Sequence, residues 1–255
     1  MQVASWNVNS LKVRLPQLLQ WLQANPVDVL GLQETKLEDA NFPQADIEAA
    51  GYHVAFAGQK TYNGVALLAR HPLTEVSVEL DATDPQRRFI AATCNGVRCI
   101  NVYVPNGQSL DSDKYPYKLR WLAQLRQRLH DELSRHPRLV VTGDFNIAPD
   151  DRDVHDPAAW TGQVLCSDAE RQALQSLLAL GLHDSFRLFE QAPAQFSWWD
   201  YRQGGFRRNH GLRIDLVLAS QALIPHCQAS VIDREPRRAE RPSDHAPVIA
   251  RFAPV

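Results

Sequence analysis

Short apolar runs separated by polar and turn-forming residues recur along most of the chain, and they predict a strand-rich protein. The runs interpreted as strands are residues 3–6, 27–32, 65–68, 76–80, 89–93, 100–104, 139–141, 214–218, 231–232 and 248–252. Many of them follow one another without a helical pattern between them. That order argues against a simple doubly wound sheet, in which strands and helices alternate.

Three other segments carry the three- and four-residue spacing of apolar positions that is typical of amphipathic helices. They are residues 11–25, 115–136 and 168–180. The last segment opens with a capping box of Ser167 and Glu170 and is closed by Gly181. Strand-rich stretches bracketed by a few helices predict an α/β fold, a four-layer sandwich of two packed, mainly antiparallel sheets flanked by helices. No low-complexity linker interrupts the pattern, so we expect a single domain over residues 1–255.

A helix followed by an apolar strand that ends in a carboxylate occurs twice, at residues 11–34 and again at residues 115–144. Either the fold has two halves with related order, or the repetition is a coincidence. The sequence leaves both interpretations open.

The charges on the chain nearly cancel, with 27 Lys and Arg residues against 29 Asp and Glu residues. A protein that binds nucleic acid by phosphate neutralisation alone is normally basic overall, so any contact with nucleic acid must come from a local patch. The carboxylates of a metal site also lower the net charge. Near-neutrality therefore does not exclude a DNA-binding protein.

Cysteine usage and hydropathy bear on the cellular compartment. The four cysteines lack the spacing of a disulfide framework or a zinc site. Cys94 and Cys99 could face each other across a hairpin, but two reduced thiols are the favoured interpretation. The sequence starts without a basic segment followed by an apolar stretch, and no apolar run approaches the ~18 residues that span a membrane. We therefore expect a soluble, cytoplasmic protein that has no membrane partner.

Carboxylate, carboxamide and histidine side chains stand at the ends of several predicted strands. Glu34 follows one buried run, Asp144 follows another, and Asp215 lies inside a third. Burying an unpaired charge is costly, whereas strand ends that converge on one edge of a sheet can share a metal and a substrate. Oxygen ligands without paired cysteines favour Mg²⁺, with Mn²⁺ as a substitute, over Zn²⁺. Beside a His–Asp pair, such a site indicates hydrolysis of a phosphate ester.

Six ordered motifs carry a resemblance to a known family. They are Trp6-Asn7-Val8-Asn9-Ser10, Leu32-Gln33-Glu34-Thr35-Lys36, Asn101-Val102-Tyr103-Val104-Pro105-Asn106-Gly107, Gly143-Asp144-Phe145-Asn146-Ile147-Ala148, Leu212-Arg213-Ile214-Asp215 and Pro242-Ser243-Asp244-His245-Ala246-Pro247. In this order, and over nearly the whole chain, they resemble the exonuclease III family, the bacterial branch of the exonuclease–endonuclease–phosphatase superfamily. A single Gly-Asp-Phe-Asn motif would be a weak signal, whereas six motifs in order are specific.

The resemblance implies a role for each residue at the predicted strand ends. Glu34, Asn7 and Asp244 are implied to hold the metal. Asp144 is implied to position and deprotonate the attacking water, and Asn146 to orient that water or a phosphate oxygen. Taken alone, the glutamate could be a solvated strand end, and an asparagine or aspartate in such a turn could be a simple cap.

His245 is implied to stabilise the charge that develops on the phosphate, with Asp215 orienting its ring. A carboxylate on the second ring nitrogen fixes the tautomer and favours the charged imidazole. Tyr103 and Asn106 are implied to contact the scissile phosphate, although a tyrosine can simply cap the core and Asn106 also begins a good turn dipeptide. Gly143 is expected to let the backbone approach a phosphate closely.

Aromatic residues interleaved with arginines between residues 196 and 213 suit a nucleic-acid strand whose bases stack while its phosphates pair with cations. By resemblance, Trp198 and Leu212 form the wall of a pocket for the deoxyribose beside the cleaved phosphate. One of the two adjacent tryptophans is nevertheless expected in the core. Arg202 is implied to lie on the loop that enters the duplex, and Lys60 on a DNA-facing loop.

The resemblance implies a Mg²⁺-dependent DNA-repair nuclease, a monomer that acts on double-stranded DNA. It would remove nucleotides from 3′ ends, trim 3′-phosphates and other blocked ends, and incise beside abasic sites during base excision repair. Abasic incision is the least secure of these, because Leu165 is bulky where abasic endonucleases of the wider family can carry a small residue. Two alternatives stay open: another phosphoesterase of the superfamily, and an RNA-binding regulator that has lost catalysis.

Overall fold

The computed structural model describes residues 1–254 of the chain. Its strands are β1 (Gln2–Asn7), β2 (Val29–Gln33), β3 (His53–Ala57), β4 (Val65–Ala69), β5 (Leu73–Ser77), β6 (Phe89–Cys94), β7 (Val97–Tyr103), β8 (Leu139–Asp144), β9 (Leu182–Asp184), β10 (Trp198–Trp199), β11 (Gly211–Leu212), β12 (Asp215–Ser220), β13 (Cys227–Ile232) and β14 (Val248–Phe252). Its α-helices are α1 (Leu11–Ala24), α2 (Gln44–Ala49), α3 (Lys114–Arg135), α4 (Pro157–Trp160), α5 (Asp168–Leu178) and α6 (Gly205–Arg208).

Two six-stranded sheets form the centre of the described part of the chain. The first sheet has the order β13-β14-β1-β2-β4-β3, and the second has the order β5-β6-β7-β8-β12-β9. The β1–β2 pair and the β7–β8 pair are parallel. The other pairs in the two sheets are antiparallel, so each sheet is mainly antiparallel, as the sequence predicted.

Three layers of apolar side chains hold the sandwich together. One layer lies between the two sheets and takes side chains from both. A second packs α3 and α5 against the second sheet through residues such as Leu125 and Leu174. A third packs α1 and α2 against the first sheet through Leu18 and Ile47. Each fully buried leucine contributes roughly 1.5–3 kcal/mol relative to an exposed one. The helices cover both outer faces, and the predicted four-layer α/β sandwich is confirmed.

The repeated helix–strand pattern corresponds to one βαβ unit in each sheet. Helix α1 connects the parallel strands β1 and β2, and helix α3 connects the parallel strands β7 and β8. The carboxyl ends of these four strands carry Asn7, Glu34, Tyr103 and Asp144. The repetition therefore has a structural basis, and it places the predicted site residues at corresponding ends of the two sheets.

The two sheets approach closely just behind these strand ends. A Cβ atom on Gly31 would lie only 2.3 Å from Thr142 Oγ1 and 2.5 Å from Asn101 Oδ1, so glycine is needed at that position. Asn101 Nδ2 donates across the interface to the carbonyl oxygens of Leu32 at 2.7 Å and Ala66 at 3.0 Å. Because a buried amide must be hydrogen-bonded, these contacts fix the sheets relative to each other next to the site.

The predictions were poorest at the sheet edges. The strand predicted at residues 76–80 is β5, which ends at Ser77, and its pairing with β6 slips after Thr74. Strands β3, β9, β10 and β11 were not predicted. Both β3 and β5 are edge strands with largely unburied side chains, and β10 and β11 are two residues long. Such strands depend on their tertiary neighbours and leave little periodic signal.

All four cysteines are free thiols, in agreement with the preferred interpretation. Among residues 1–254, no helix combines the length and the apolar character needed to cross a bilayer.

Candidate active site

The strand ends bring three polar side chains of the predicted site together. Glu34 follows β2 in the first sheet, and Asp144 ends β8 in the second. Asn7, which ends β1, donates from Nδ2 to Glu34 Oε1 at 2.8 Å and to Asp144 Oδ2 at 2.9 Å. Its Oδ1 accepts a hydrogen bond from the main-chain N–H of Asn9 at 2.9 Å. In this arrangement Asn7 holds the two carboxylates together and presents its nitrogen, not its oxygen, to them.

His245 lies buried between two carboxylates. Its Nδ1 is 2.8 Å from Asp215 Oδ2, and its Nε2 is 3.6 Å from Asp144 Oδ2. Burial opposes a charge on the ring, but the Asp215 and Asp144 carboxylates outweigh it and raise the pKa of His245 from 6.5 to about 10. Near neutral pH the ring is therefore an imidazolium with both nitrogens protonated. The structure brings His245 and Asp215 together as a pair.

Asp144 is fully buried at the centre of the site. Burial raises the pKa of Asp144 from 3.8 to about 7, although the His245 imidazolium opposes the shift, and the Asp215 carboxylate adds to it. Its Oδ1 accepts a hydrogen bond from the main-chain N–H of Asn146 at 2.9 Å, which fixes the orientation of the carboxylate. A carboxylate with a pKa near neutrality is well matched to accept a proton from water.

Glu34, Asp144 and His245 each place one potential ligand atom within 4.8 Å of the other two, a grouping that could hold a metal ion. Since His245 is held as a cation, the two carboxylates remain as donors, and they suit a hard cation. Lys36 Nζ is 3.0 Å from Glu34 Oε2 and also donates to Asn9 Oδ1 at 2.6 Å. Sequence reasoning gave Lys36 no role, although it stands two residues after Glu34 in a quoted motif.

Asn146 and Asn106 are linked beside this group. Asn106 Nδ2 donates to Asn146 Oδ1 at 3.1 Å, and Asn146 Nδ2 donates to the carbonyl of Val104 at 2.9 Å. Burial raises the pKa of Tyr103 well above its ordinary value of 10, and the nearby carboxylates of Glu34 and Asp144 add to the shift. The phenol of Tyr103 therefore stays protonated and can donate a hydrogen bond to an anion.

Two of these residues adopt left-handed backbone conformations. Glu34 has φ 52° and Asn146 has φ 49°. Asparagine adopts this region more readily than most residues, whereas glutamate is held there against its preference. Such conformations turn the chain sharply at the strand end.

Trp198 and Leu212 form a wall next to the histidine. They are paired directly across the β10–β11 hairpin, and a further bridge joins Trp198 to His245. Leu212 is fully buried and shares an apolar cluster with Leu165, against which the half-buried Trp198 packs. Trp199, by contrast, is fully buried in a separate cluster. The structure thus places one tryptophan at the site and the other in the core.

Asp244 is occupied by contacts within the protein. Its Oδ2 accepts a hydrogen bond from Trp198 Nε1 and its Oδ1 accepts one from Asn9 Nδ2, both at 3.0 Å. The structure therefore places Asp244 against the wall, where it orients the indole of Trp198. The three-residue metal grouping does not include it.

Arg202 and Lys60 lie in exposed segments. Arg202 forms a salt bridge of 2.7 Å with Asp200, and its side chain is 85% exposed. Lys60 lies in the loop between β3 and β4, two residues before Tyr62, which is 68% exposed. Neither cation lies in the group formed by Glu34, Asp144 and His245.

A cavity of about 590 Å³ adjoins the site. Tyr103 and Asn106 line it together with Tyr62, Arg88 and Lys114. Aromatic and cationic side chains around one groove suit a single strand of nucleic acid. A larger cavity of about 790 Å³ is not lined by Glu34, Asp144 or His245.

Two serines that sequence reasoning gave no role support Asp215, Asn7 and His245 through main-chain hydrogen bonds. Ser197 Oγ accepts hydrogen bonds from the amides of Ile214 at 3.0 Å and Asp215 at 3.1 Å. Ser243 Oγ donates to the carbonyl of Asn7 at 2.6 Å and accepts from the His245 amide at 3.2 Å. Ser243 lies inside a quoted motif, whereas Ser197 carries no recognisable local signal.

The interpretation of Gly143 was wrong. Gly143 lies inside β8 and pairs with Val102 of β7. A Cβ atom there would lie 2.4 Å from the Val102 carbonyl oxygen. Glycine is therefore required by the close approach of two strands, and not by a phosphate.

The chain matches the model of the endonuclease/exonuclease/phosphatase family over residues 4–245. It is 39% identical to exodeoxyribonuclease III of Haemophilus influenzae, and the alignment covers 99% of this chain and 100% of that one. Its structure is similar to that of the 3′ phosphatase NExo from Neisseria bound to a product DNA hairpin, with 50% identity, 99% coverage of both chains and a TM-score of 0.97. It is also similar to an AP endonuclease from Archaeoglobus fulgidus, with 39% identity, full coverage of both chains and a TM-score of 0.95.

These matches extend over the whole fold, and the matched range includes Glu34, Asp144, Asp215 and His245. The chain therefore belongs to the endonuclease/exonuclease/phosphatase family, in its branch of exodeoxyribonuclease III-type DNA-repair nucleases.

Proposed function

We propose that the chain is a Mg²⁺-dependent nuclease that hydrolyses phosphate esters at 3′ positions of duplex DNA. It removes 3′ nucleotides, trims 3′-phosphates and related blocked ends, and incises beside abasic sites. One observation carries the proposal: Asp144, with its raised pKa, lies 3.6 Å from the His245 imidazolium, which in turn adjoins the Trp198 wall. A proton acceptor, a fixed cation and an apolar wall suit a phosphate ester attached to a deoxyribose.

The chain's own residues supply the proton transfer and the charge stabilisation. Asp144 takes the proton from the attacking water, because its pKa lies near neutrality. The His245 imidazolium donates to a non-bridging phosphate oxygen as negative charge develops there. Asp215 keeps the ring charged and correctly oriented through the 2.8 Å contact to Nδ1. No covalent intermediate is implied, since the site presents no activated serine, cysteine or lysine.

Three further side chains position the substrate. The protonated phenol of Tyr103 and the amide of Asn106 donate to the scissile phosphate, and Asn146 orients the water or a phosphate oxygen. The hydrogen bond between the two asparagine side chains supports this assignment, because it fixes both amides at one separation. Fixed donors of this kind need no reorganisation as the reaction proceeds.

The carboxylates of Glu34 and Asp144 fit a hard cation, with two oxygens from adjoining strand ends and no thiol nearby. These two residues would hold Mg²⁺, or Mn²⁺ in its place. Asn7 Oδ1 and both carboxylate oxygens of Asp244 already accept one hydrogen bond each, so these residues would bind a cation through their remaining lone pairs. When bound, the cation would supply positive charge against the phosphate and the leaving oxygen.

The choice of duplex DNA as substrate rests on the wall, the groove and the relatives. Trp198 and Leu212 offer an apolar surface for a deoxyribose, and the 590 Å³ cavity offers aromatic and cationic side chains for the adjoining strand. We place Arg202 and Lys60 at the edges of the DNA contact, since both are exposed. The relatives named as an exodeoxyribonuclease, a 3′ phosphatase and an AP endonuclease support the three activities.

Abasic incision depends most on the space beside the wall formed by Trp198 and Leu212, because the extruded sugar must fit against that wall. Leu165 is 4% exposed and packs in the cluster that contains Leu212, so little space remains there. We therefore expect activity at 3′ ends to exceed abasic incision. Four reduced thiols support a cytoplasmic location, and we propose a monomer with one domain over residues 1–255.

The test uses end-labelled duplexes that carry a recessed 3′ end, a 3′-phosphate or a central abasic site, each with Mg²⁺ and with EDTA. We expect metal-dependent product from the first two and weaker incision of the third. Sphingomyelin and inositol phosphates serve as control substrates. Preferred hydrolysis of either control would support another phosphoesterase of the superfamily. Metal-independent RNA binding without any hydrolysis would support a regulator.

Asp144→Asn should fold normally but lose cleavage of all three duplexes, because it removes the proton acceptor and preserves the shape. Loss of a general base typically lowers the rate by ~10²–10⁴. Initial rates should be compared once the variant has been shown to have the same thermal midpoint as the parent. Cleavage at the parental rate would show that another group takes the proton.

A further inference from the structure

A buried ion pair lies behind Asn106 and Asn146, the two asparagines proposed to contact the phosphate. Lys118 of α3 and Glu170 of α5 are both 0% exposed, with Lys118 Nζ 2.5 Å from Glu170 Oε1. Nζ also donates to the main-chain carbonyls of Asn146 at 2.6 Å and Asn106 at 3.1 Å. The ammonium thus has one acceptor for each of its three hydrogens.

The position of Lys118 in its helix makes this charge unusual. Lys118 lies on the buried face of α3 in the same stripe as Trp121, Leu122 and Leu125. Removing an ammonium from water is costly, and well-packed apolar residues of similar volume would often serve stability as well or better. Packing alone therefore gives no reason for a lysine at this position. The hydrogen bonds from Lys118 Nζ to the two carbonyls do give a reason for a lysine.

Glu170 extends the network to the loop before α5. Its Oε1 accepts from the Leu165 amide at 3.0 Å, and its Oε2 accepts from the Ser167 amide at 3.1 Å and the Ser167 hydroxyl at 2.6 Å. Leu165 belongs to the cluster that includes Leu212. The pair therefore joins the loop after β7, the loop after β8 and the loop that backs the apolar wall.

We propose that Lys118, held by Glu170, is a positioning residue for the hydrolytic reaction, because it sets the separation between the backbones that carry Asn106 and Asn146. The inference rests on the proposed function, since these asparagines are assigned to the phosphate there. Without the ammonium, both carbonyls lose a buried donor and the two loops lose their link. A displacement of about 1 Å between a catalytic group and its substrate can lower the rate by ~10².

The test compares Lys118→Met, Glu170→Gln and the double variant with a matched control. The control is Arg98→Met/Glu132→Gln, which removes another buried ion pair of α3. Arg98 is 4% and Glu132 0% exposed, with an N–O distance of 2.8 Å, but neither carbonyl of the asparagine pair is involved. Thermal midpoints, kcat and KM on the recessed duplex are measured for all variants.

We expect Lys118→Met to lower the thermal midpoint because it leaves Glu170 buried and unpaired, and the double variant to recover part of that loss. In the double variant, kcat should stay about a hundredfold below the parent with little change in KM. The Arg98–Glu132 control should lose stability but keep kcat. Recovery of kcat together with stability, or an equal loss of kcat in the control, would reduce Lys118 to a structural role.

A second measurement does not depend on activity. The side-chain amide signals of Asn106 and Asn146 in ¹⁵N–¹H spectra should move toward those of free asparagine in the double variant and stay in place in the control. Unchanged signals would overturn the inference. If the parent protein cleaves no DNA, the proposed function fails, and these signals alone decide whether Lys118 sets the asparagine pair.

Glu170→Gln covers the case in which variants at Lys118 do not fold, because it retains the Lys118 amine, which can still donate to both carbonyls. The weakened anchor should shift both asparagine signals partly and lower kcat severalfold with KM little changed. Parental signals and kcat in this variant would contradict the role given to the pair.

Discussion

Asp144 and Asp215 carry the same side chain, but their neighbours give them different chemistry. Asp215 Oδ2 is the closer carboxylate oxygen to the His245 ring, at 2.8 Å against 3.6 Å for Asp144 Oδ2. In the described part of the chain, Asp215 Oδ1 is buried without a hydrogen-bond partner. Asp215 therefore keeps the histidine charged, which leaves Asp144 to exchange protons with water.

These pKa values predict a bell-shaped pH profile for kcat/KM. Activity should rise with pH as Asp144 loses its proton around a pKa of about 7, and should fall as His245 loses its proton around a pKa of about 10. A cation held by Glu34 and Asp144 would stabilise the Asp144 carboxylate, so more Mg²⁺ should move the acid limb to lower pH. Profiles from about pH 5 to about pH 11 at two Mg²⁺ concentrations test this. If the acid limb does not move with the Mg²⁺ concentration, Asp144 is not a ligand of the metal.

Asp215→Asn provides the control for the alkaline limb of the same profile. Removing this carboxylate removes a cause of the raised His245 pKa, so the alkaline limb should move to lower pH. An alkaline limb that stays in place would mean that another group titrates there.

His245→Ala and Asp215→Asn should each lower kcat by about 10²–10³, because each removes charge that is fixed in place for the transition state. The double variant should be little worse than the worse single variant, since groups that act as one unit are not additive. Single-turnover rates on the 3′-phosphate duplex measure this. Additive losses would contradict the pairing seen at 2.8 Å.

At the scale of elements, the sequence predicted best the strands that carry the site. β1, β2 and β8 are buried along most of their length, so their apolar runs are continuous and their polar ends stand out. The β10–β11 hairpin gave no such signal, because two-residue strands are formed by their neighbours. The assignment of Trp198 to the wall therefore came from family resemblance, and its contacts with Asp244 and Leu212 could only be seen in the structure.

Some features could have been found with a closer application of the same rules. Lys118 stands three, four and seven residues before Trp121, Leu122 and Leu125, so helical spacing alone places it on the buried face. Gly143 in the middle of an apolar run was equally compatible with close strand packing. The hydrogen bonds of Asn7 and Asp244 could not be predicted, because they depend on which oxygen or nitrogen faces the site.

The β10–β11 hairpin should affect which substrates are cleaved more than it affects the rate of the chemical step. Trp198→Ala should lower cleavage of duplex DNA by about ten- to a hundredfold, because base or sugar packing on an aromatic ring is worth ~1–3 kcal/mol. Slow hydrolysis of bis-p-nitrophenyl phosphate, which is too small to need the wall, should change much less. Trp199→Phe is the matched control, since Trp199 is fully buried beside it and should affect stability alone. Equal losses on both substrates would assign Trp198 to the core.

At the scale of the whole molecule, the site lies where two βαβ units from different sheets meet. Glu34 belongs to the first sheet and Asp144 to the second, and Asn7 already bridges them with bonds of 2.8 Å and 2.9 Å. Asn101 joins the same sheets just behind. A ligand held by both carboxylates would therefore act on the packing of the sandwich as well as on the reaction.

Mg²⁺ should consequently stabilise the folded protein. A ligand at a hundred times its Kd contributes about 2.7 kcal/mol, and for a chain of this size each kcal/mol shifts the thermal midpoint by about 2–4 °C. We therefore expect a rise of about 5–10 °C with saturating Mg²⁺ and its loss in EDTA. Glu34→Gln should reduce the rise and increase the Mg²⁺ concentration needed for cleavage, while DNA binding in EDTA changes less. Glu38→Gln, an exposed neighbour, should behave like the parent. If Glu34→Gln retains the full shift and the parental Mg²⁺ dependence, Glu34 is not a ligand, and only the Asn7 side chain connects the two carboxylates.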